Sequence, residues 1–175
     1  MEIHRWEILS STRPYQNLRV DEVLLPNGKI VQKLIHEYSP WATVLAITKQ
    51  KEVVLVRQYR HGVREIILEF PGGVIDDGED PLDAAKRELV EESGYSGGEW
   101  IQIGAPSPNP DNHTNRIYSF VAQNVELTAE LHFDADEEIE VVLKPIADVI
   151  QMAYNGELLQ AMQISALFLA LPHLK

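Results

Sequence analysis

Apolar and polar positions trade places along the chain in a way that marks its elements. Residues 5–36 read as strands: Arg19 to Leu25 is partly apolar, Pro26-Asn27-Gly28 signals a turn, and the alternation resumes from Lys29 to His36. Trp41 to Thr48 is a continuous apolar run of strand length. The polar stretch Thr48 to Lys51 then predicts a hairpin turn into a Val-rich strand, Glu52 to Tyr59, and Glu65 to Phe70 predicts a short further strand. Pro71-Gly72-Gly73 breaks the pattern and a loop follows to Asp80. Asp80 and Pro81 predict the cap and first residue of a helix that ends near Ser93, with Gly94 beyond it. Ile117 to Gln123 and Ile139 to Leu143 predict two more strands. Helices around Ala147 to Tyr154 and Leu158 to Leu171 follow.

This order, strands in runs with one helix inserted and helices at the end, predicts an α+β fold with helices packed on a mixed β-sheet. The 175 residues suit one domain with a small extension, and a chain of this length buries enough apolar surface to fold without staples. No apolar run approaches the roughly 18 residues of a membrane span, and Met1 to Ser10 lacks the pattern of a secretory signal. Cysteine is absent, which excludes disulfides and thiolate chemistry and agrees with a reducing, cytoplasmic location.

Charge changes the picture more than composition does. The formal net charge of −12 argues against nucleic acid as a partner. Eight acids and two bases fall between Asp76 and Glu92, and a second acidic cluster runs from Asp134 to Glu140. At about 100° per residue, Glu88 and Glu92 lie on one stripe of the predicted helix, with Glu91 beside it. Leu82, Ala85 and Leu89 form the apolar edge that would hold the helix on a sheet. Two readings fit: a solvated acidic face with an Arg87–Glu91 ion pair, or carboxylates gathered for a hard divalent cation such as Mg²⁺. The glycine-rich loop ahead favours the second, since Pro71-Gly72-Gly73 allows close approach of backbone and offers a carbonyl to a metal. Arg87 can brace Glu91 or reach back to Glu79.

The segment from Gly73 to Tyr95 resembles the Nudix box, G-x5-E-x7-R-E-U-x-E-E-x-G-U, in which U is a bulky apolar residue. Gly73, Glu79, Arg87, Glu88, Leu89, Glu91, Glu92 and Gly94 occupy its prescribed positions, and Tyr95 is aromatic where an aliphatic residue is commoner. The resemblance implies a Nudix fold, a mixed β-sheet sandwiched between α-helices, with the box as loop–helix–loop. It implies Mg²⁺, or Mn²⁺, held by Glu88, Glu92 and the Gly72 carbonyl, with Glu91 serving a further ion. Arg87 and Glu79 would orient the carboxylates.

The flanks Arg57-Gln58-Tyr59-Arg60 and Leu68 to Gly73, with Pro110 downstream, are similar to those of ADP-ribose pyrophosphatases and related nucleoside diphosphate sugar hydrolases. That group implies residues 1–38 as an antiparallel β extension serving a homodimer and the substrate site, and 39–175 as the hydrolase domain. The substrate expected is a small molecule linked to a nucleoside diphosphate, cut at its pyrophosphate bond. Arg57, Arg60, Glu69 and Pro110 are the candidate substrate contacts, with Glu69 also a candidate metal ligand. The group's loop glutamate, acting as general base, corresponds to Glu137, with Glu138 second. Two departures stand out. Gly72 replaces a common alanine, and the polar loop from Ser107 to Asn115, with His113 in it, points to a different specificity. Two alternatives stay open: another nucleotide diphosphate, such as a dinucleoside polyphosphate or oxidised nucleotide, or a non-catalytic nucleotide-sugar sensor.

Overall fold

The structure is a computed structural model and describes residues 7–129 and 139–174. They divide into two compact units, one comprising the chain up to Ser39 with Ser107–Arg116, the other Pro40–Pro106 with Ile117 onward. Residues 107–116 therefore join the N-terminal unit although they are remote from it in sequence.

The N-terminal unit is a three-stranded antiparallel sheet in the order β1 (Glu7–Tyr15), β2 (Leu18–Leu24), β3 (Ile30–His36). Residues 107–116 lie along the end of β3. Asn112 O accepts from His36 N at 2.7 Å, and Thr114 N donates to His36 O at 3.1 Å. This brings the rings of His36, Tyr38 and His113 together, with centroids 5.1–5.5 Å apart.

The larger unit is an α/β/α sandwich. Its strands are β4 (Trp41–Thr48), β5 (Glu52–Arg60), β6 (Glu65–Glu69), β7 (Gly72–Val74), β8 (Tyr95–Ser96), β9 (Glu99–Gly104), β10 (Ile117–Leu127) and β11 (Glu140–Pro145). The path β11-β5-β4-β10-β8 is extended by β6 on β5, β7 on β4 and β9 on β10. The sheet is mixed because β4 and β10 run parallel while the other pairs are antiparallel.

The apolar run of β4 follows from cover on both faces. Ala42, Val44 and Ala46 join Ala84, Ala85 and Leu89 of α1 (Pro81–Ser93) on one side. Leu45 and Ile47 join Val149 and Met152 of α2 (Ile146–Asn155) and Leu167 and Ala170 of α3 (Ala161–Ala170) on the other. Strand β5 alternates likewise, Val54 toward α1 and Val53 and Leu55 toward α2 and α3.

Helix α1 begins and ends where its capping residues require. The Asp80 side chain accepts from Leu82 N at 2.9 Å, Pro81 opens the helix, and Gly94, at φ 73°, donates its N–H to Val90 O at 2.8 Å. The buried edge is wider than the predicted one, since Ala84 and Ser93 join Ala85 and Leu89 while Leu82 is only partly covered.

Three strands depart from the sequence reading. Gly72–Val74, expected as loop, is a strand antiparallel to β4, because backbone pairing needs no side chain and glycines leave no pattern to read. Strands β8 and β9 carry no prediction: β8 is two residues long, and β9 has apolar residues on both parities.

Candidate active site in the loop and helix from Glu69 to Glu92

The site is assembled where β6 ends, β7 pairs with β4, and the second half of α1 lies beside the glycine loop. Strand β7 sets Gly72 beside Thr43. The approach is so close that a Cβ on Gly72 would lie 2.2 Å from Ala42 O, so an alanine does not fit this backbone. A Cβ on Gly73 would lie 2.3 Å from Glu88 Oε1. The first glycine of the box is thus the space into which the Glu88 carboxylate fits.

Arg87 ties the box together. Its Nε and Nη2 grip Glu79 Oε1 and Oε2, each at 2.9 Å. Nη1 reaches Glu88 Oε1 at 2.8 Å and Glu91 Oε2 at 3.1 Å, and Nη2 also donates to Val74 O at 3.1 Å. The guanidinium thus braces Glu91 and reaches back to Glu79 at once. A planar fork with five donors can hold three carboxylates in fixed directions, and a lysine cannot. Glu79 closes its own loop by accepting from Asp76 N at 3.0 Å. Those bonds, with Arg87 first, hold Glu79 down at a pKa of about 2.

The carboxylates facing the loop are in the opposite condition. Burial pushes Glu88 above the usual glutamate range against the pull of Arg87. Burial also pushes Glu92 up to about 8, with Glu88 and Glu69 adding to the rise while the Gly72 amide and Arg60 oppose it. Glu92 Oε2 accepts from Gly72 N at 2.8 Å, which joins the helix directly to the glycine loop. Glu91 is exposed. Glu69 is 1% exposed; Arg60 Nε meets its Oε2 at 2.7 Å, while its Oε1 is buried without a hydrogen bond. Burial raises the Glu69 pKa, and Arg60 works against that rise.

Among the described residues, no three or more acidic, histidine or cysteine side chains converge closely enough to hold an ion by themselves. The donors that do gather still suit a hard cation. They are oxygen atoms only, two belong to carboxylates whose charge burial disfavours, and one neighbouring carboxylate oxygen is an orphan. Mg²⁺ keeps several waters and needs only one or two carboxylates from the protein. Glu88 and Glu92, held beside the Gly72–Gly73 backbone, are ligands of the kind such an ion takes.

The remaining predicted residues are placed as follows. Arg57 pairs with Glu140 across β5 and β11 at 2.7 Å, with both side chains largely open to solvent. Arg60 and Glu69 form the pair described above. Pro110 is exposed in the loop that belongs to the N-terminal unit. Glu137 and Glu138 lie outside the described residues. One residue at the site carried no sequence signal that was read. Gln163 of α3 is buried beside Phe70, and a polar side chain on the stripe Gln163, Ala166, Leu167, Ala170 was the available clue.

A sequence model of the NUDIX domain family matches residues 38–162. The ADP-ribose pyrophosphatase of Bacillus subtilis is 31% identical over 146 residues, covering 83% of this chain and 79% of that protein. The methanol dehydrogenase activator of Bacillus methanolicus is 34% identical over 166 residues, covering 89% and 88%. The solved structure of an ADP compounds hydrolase superposes with a TM-score of 0.85 over 99% of this chain and 96% of that one, at 23% identity, and so shares the fold. The chain belongs to the NUDIX domain family.

Proposed function

We propose that this chain is a pyrophosphohydrolase that cuts the pyrophosphate bond of a nucleoside diphosphate derivative, ADP-ribose or a related nucleoside diphosphate sugar, with Mg²⁺ or Mn²⁺. The observation that carries the reading is the convergence of Glu88, Glu92 and the Gly72 loop, braced by Arg87, in a chain that retains every acid of the box. The Bacillus subtilis relative, named as an ADP-ribose pyrophosphatase, supports the substrate class.

In this reading Glu88, Glu92 and the Gly72 carbonyl hold the metal, and Glu91 serves a further ion. When bound, the metal supplies the positive charge that offsets negative charge developing on the phosphoryl oxygens. Arg87 and Glu79 keep the glutamates in position. Arg60 and Arg57 bind phosphate or ribose, and Glu69 orients Arg60 or adds an oxygen to the metal site. Pro110 and its loop contribute to substrate selection. Glu137, with Glu138 as second choice, removes a proton from the attacking water. We place the protein in the cytoplasm as a homodimer, without nucleic acid or membrane partners; among the described residues no helix is long and apolar enough to cross a membrane.

The test is a panel of ADP-ribose, UDP- and GDP-sugars, dinucleoside polyphosphates and nucleoside triphosphates, assayed with Mg²⁺ and Mn²⁺ and with products identified. Turnover of a nucleotide sugar to two monophosphates is expected. The base assignment has its own check: Glu137→Gln should slow turnover by about 10²- to 10⁴-fold, and an unchanged rate would move the base to Glu138 or elsewhere.

A second reading has one observation behind it. The Bacillus methanolicus relative is named as an activator of another enzyme. A chain that turned over nothing in the panel, yet bound a nucleotide sugar tightly, would favour such a regulatory role.

A further inference from the structure

We propose that Gln163, on the far side of the sheet from α1, is a positioning residue for the metal-binding loop. The inference rests on the reading above, in which the Gly72 carbonyl is a metal ligand. The carboxamide of Gln163 is 1% exposed, and both of its polar atoms are spent on one residue of the loop. Its Oε1 accepts from Phe70 N at 2.6 Å, and its Nε2 donates to Phe70 O at 3.2 Å. This two-point contact takes the place of a neighbouring strand just after β6 ends.

The segment it grips leads straight into the site. Phe70 is followed by Pro71, whose carbonyl accepts from Val44 N at 3.0 Å and from Thr43 Oγ1 at 3.3 Å. Gly72 comes next, with its N–H on Glu92. Pro71 has no N–H to donate and a restricted φ, so the direction of the Gly72 peptide follows closely from where Phe70 and Pro71 are held. Gln163 fixes the first of those points, Thr43 and Val44 the second, and Glu92 the third.

Packing alone does not call for an amide here. Gln163 shares its buried helix stripe with Ala166, Leu167 and Ala170, and the last two belong to the apolar cluster that contains Phe70. An aliphatic side chain would fill the same space without desolvating two polar atoms. It would leave the buried Phe70 N–H and carbonyl without partners, freeing the loop to turn. Groups that orient metal ligands from behind typically change metal affinity when removed, even though they never touch the ion.

The experiment compares Mn²⁺ binding, followed by electron paramagnetic resonance, in the full-length wild type, Gln163→Leu, Gln163→Glu and Leu167→Ala. Hydrogen exchange of the Phe70, Gly72 and Gly73 amides is measured on the same proteins. Gln163→Leu should bind Mn²⁺ about tenfold more weakly and exchange faster at these amides. Gln163→Glu can still accept from Phe70 N but sets a carboxylate against Phe70 O. It should fall between, and it carries the test if the leucine variant does not fold. Leu167→Ala loosens α3 without touching the loop backbone and should bind Mn²⁺ as the wild type does. Wild-type affinity in both Gln163 variants would overturn the proposal, as would an equal loss in Leu167→Ala. Absence of Mn²⁺ binding by the wild type would instead remove the metal-site reading on which the proposal stands.

Discussion

Arg19 in the N-terminal sheet and Arg87 on α1 each draw carboxylates around one guanidinium, and the surroundings of the two differ in balance. Arg19 grips Asp21 with Nε and Nη2 at 2.9 and 3.1 Å and also meets Glu37, which Arg13 shares. Two arginines there face two acids. Ser11 adds a hydrogen bond to Asp21, whose pKa is lowered, chiefly by Arg19. Arg87 faces Glu79, Glu88 and Glu91, while Glu92 has, of positive charges, only Arg60, itself paired with Glu69, to set against its burial. Arg87 satisfies Glu79, while Glu88 and Glu92 are left with raised pKa values. A network that only holds a fold together matches its buried charges. Around Arg87 the two glutamates beside the glycine loop are left short of positive charge, and that is the place the proposed function gives to a cation.

The most direct way to break that contrast is Glu92→Gln. The substitution keeps the shape and the acceptor for the Gly72 amide but removes a ligand's charge, so turnover should fall to background. Circular dichroism should show an unchanged fold. Full Mg²⁺-dependent activity in this variant would sink the site assignment. Arg87→Lys comes next. An ammonium cannot grip Glu79 with two parallel bonds while reaching Glu88 and Glu91. Misplaced carboxylates should lower kcat by about 100-fold, with KM for the nucleotide changed much less. Steady-state rates at saturating Mg²⁺ separate the two parameters.

How much of this was legible in the residues varies from element to element. Helix α1 could be read almost to the residue, because Asp80, Pro81 and Gly94 are local signals whose effect does not depend on the rest of the chain. The stripe of Glu88 and Glu92 followed from helical geometry alone. Strand β7 could not be read: Gly72 and Gly73 are there for what they lack, and the atoms they make room for, Ala42 O and the Glu88 carboxylate, come from elsewhere in the chain. Gln163 was missed for a related reason. Its partner Phe70 lies 93 residues away, and no local pattern records such a contact. The attachment of residues 107–116 to β3 has the same origin, since His36 bonds Asn112 and Thr114 mainly through backbone groups more than 70 residues apart in the chain.

A smaller effect sharpens the other half of the contrast. Asp21 is 3% exposed and its charge is matched, so Asp21→Asn should cost stability and leave the metal dependence of turnover untouched. Loss of charged hydrogen bonds of this kind costs about 1–3 kcal/mol. The sign of the pH dependence follows from the lowered pKa. The stabilisation by Asp21 is fully present above the ordinary aspartate value and is lost as pH falls through the lower folded value. Urea denaturation should therefore separate wild type from variant at pH 7, and the gap should close in acid. A gap that persisted there would mean that shape, rather than charge, carries the interaction.

The smallest stability change is expected at Arg57, where the two kinds of arginine network can be told apart by kinetics. Its pair with Glu140 has side-chain exposures of 42% and 62%, and an ion pair that open to water is worth at most about 1 kcal/mol. Arg57→Ala should accordingly leave the melting temperature nearly unchanged. If the guanidinium leaves Glu140 to bind phosphate or ribose, KM for the nucleotide rises while kcat holds, because binding to the ground state and to the transition state is lost alike. Glu140→Gln then supplies the converse. It frees Arg57 from its partner, so KM should fall slightly or stay level. A rise in KM of equal size in both variants would show that the pair acts as a unit holding β11 on β5, with Arg57 a structural arginine of the Arg19 kind rather than a substrate contact.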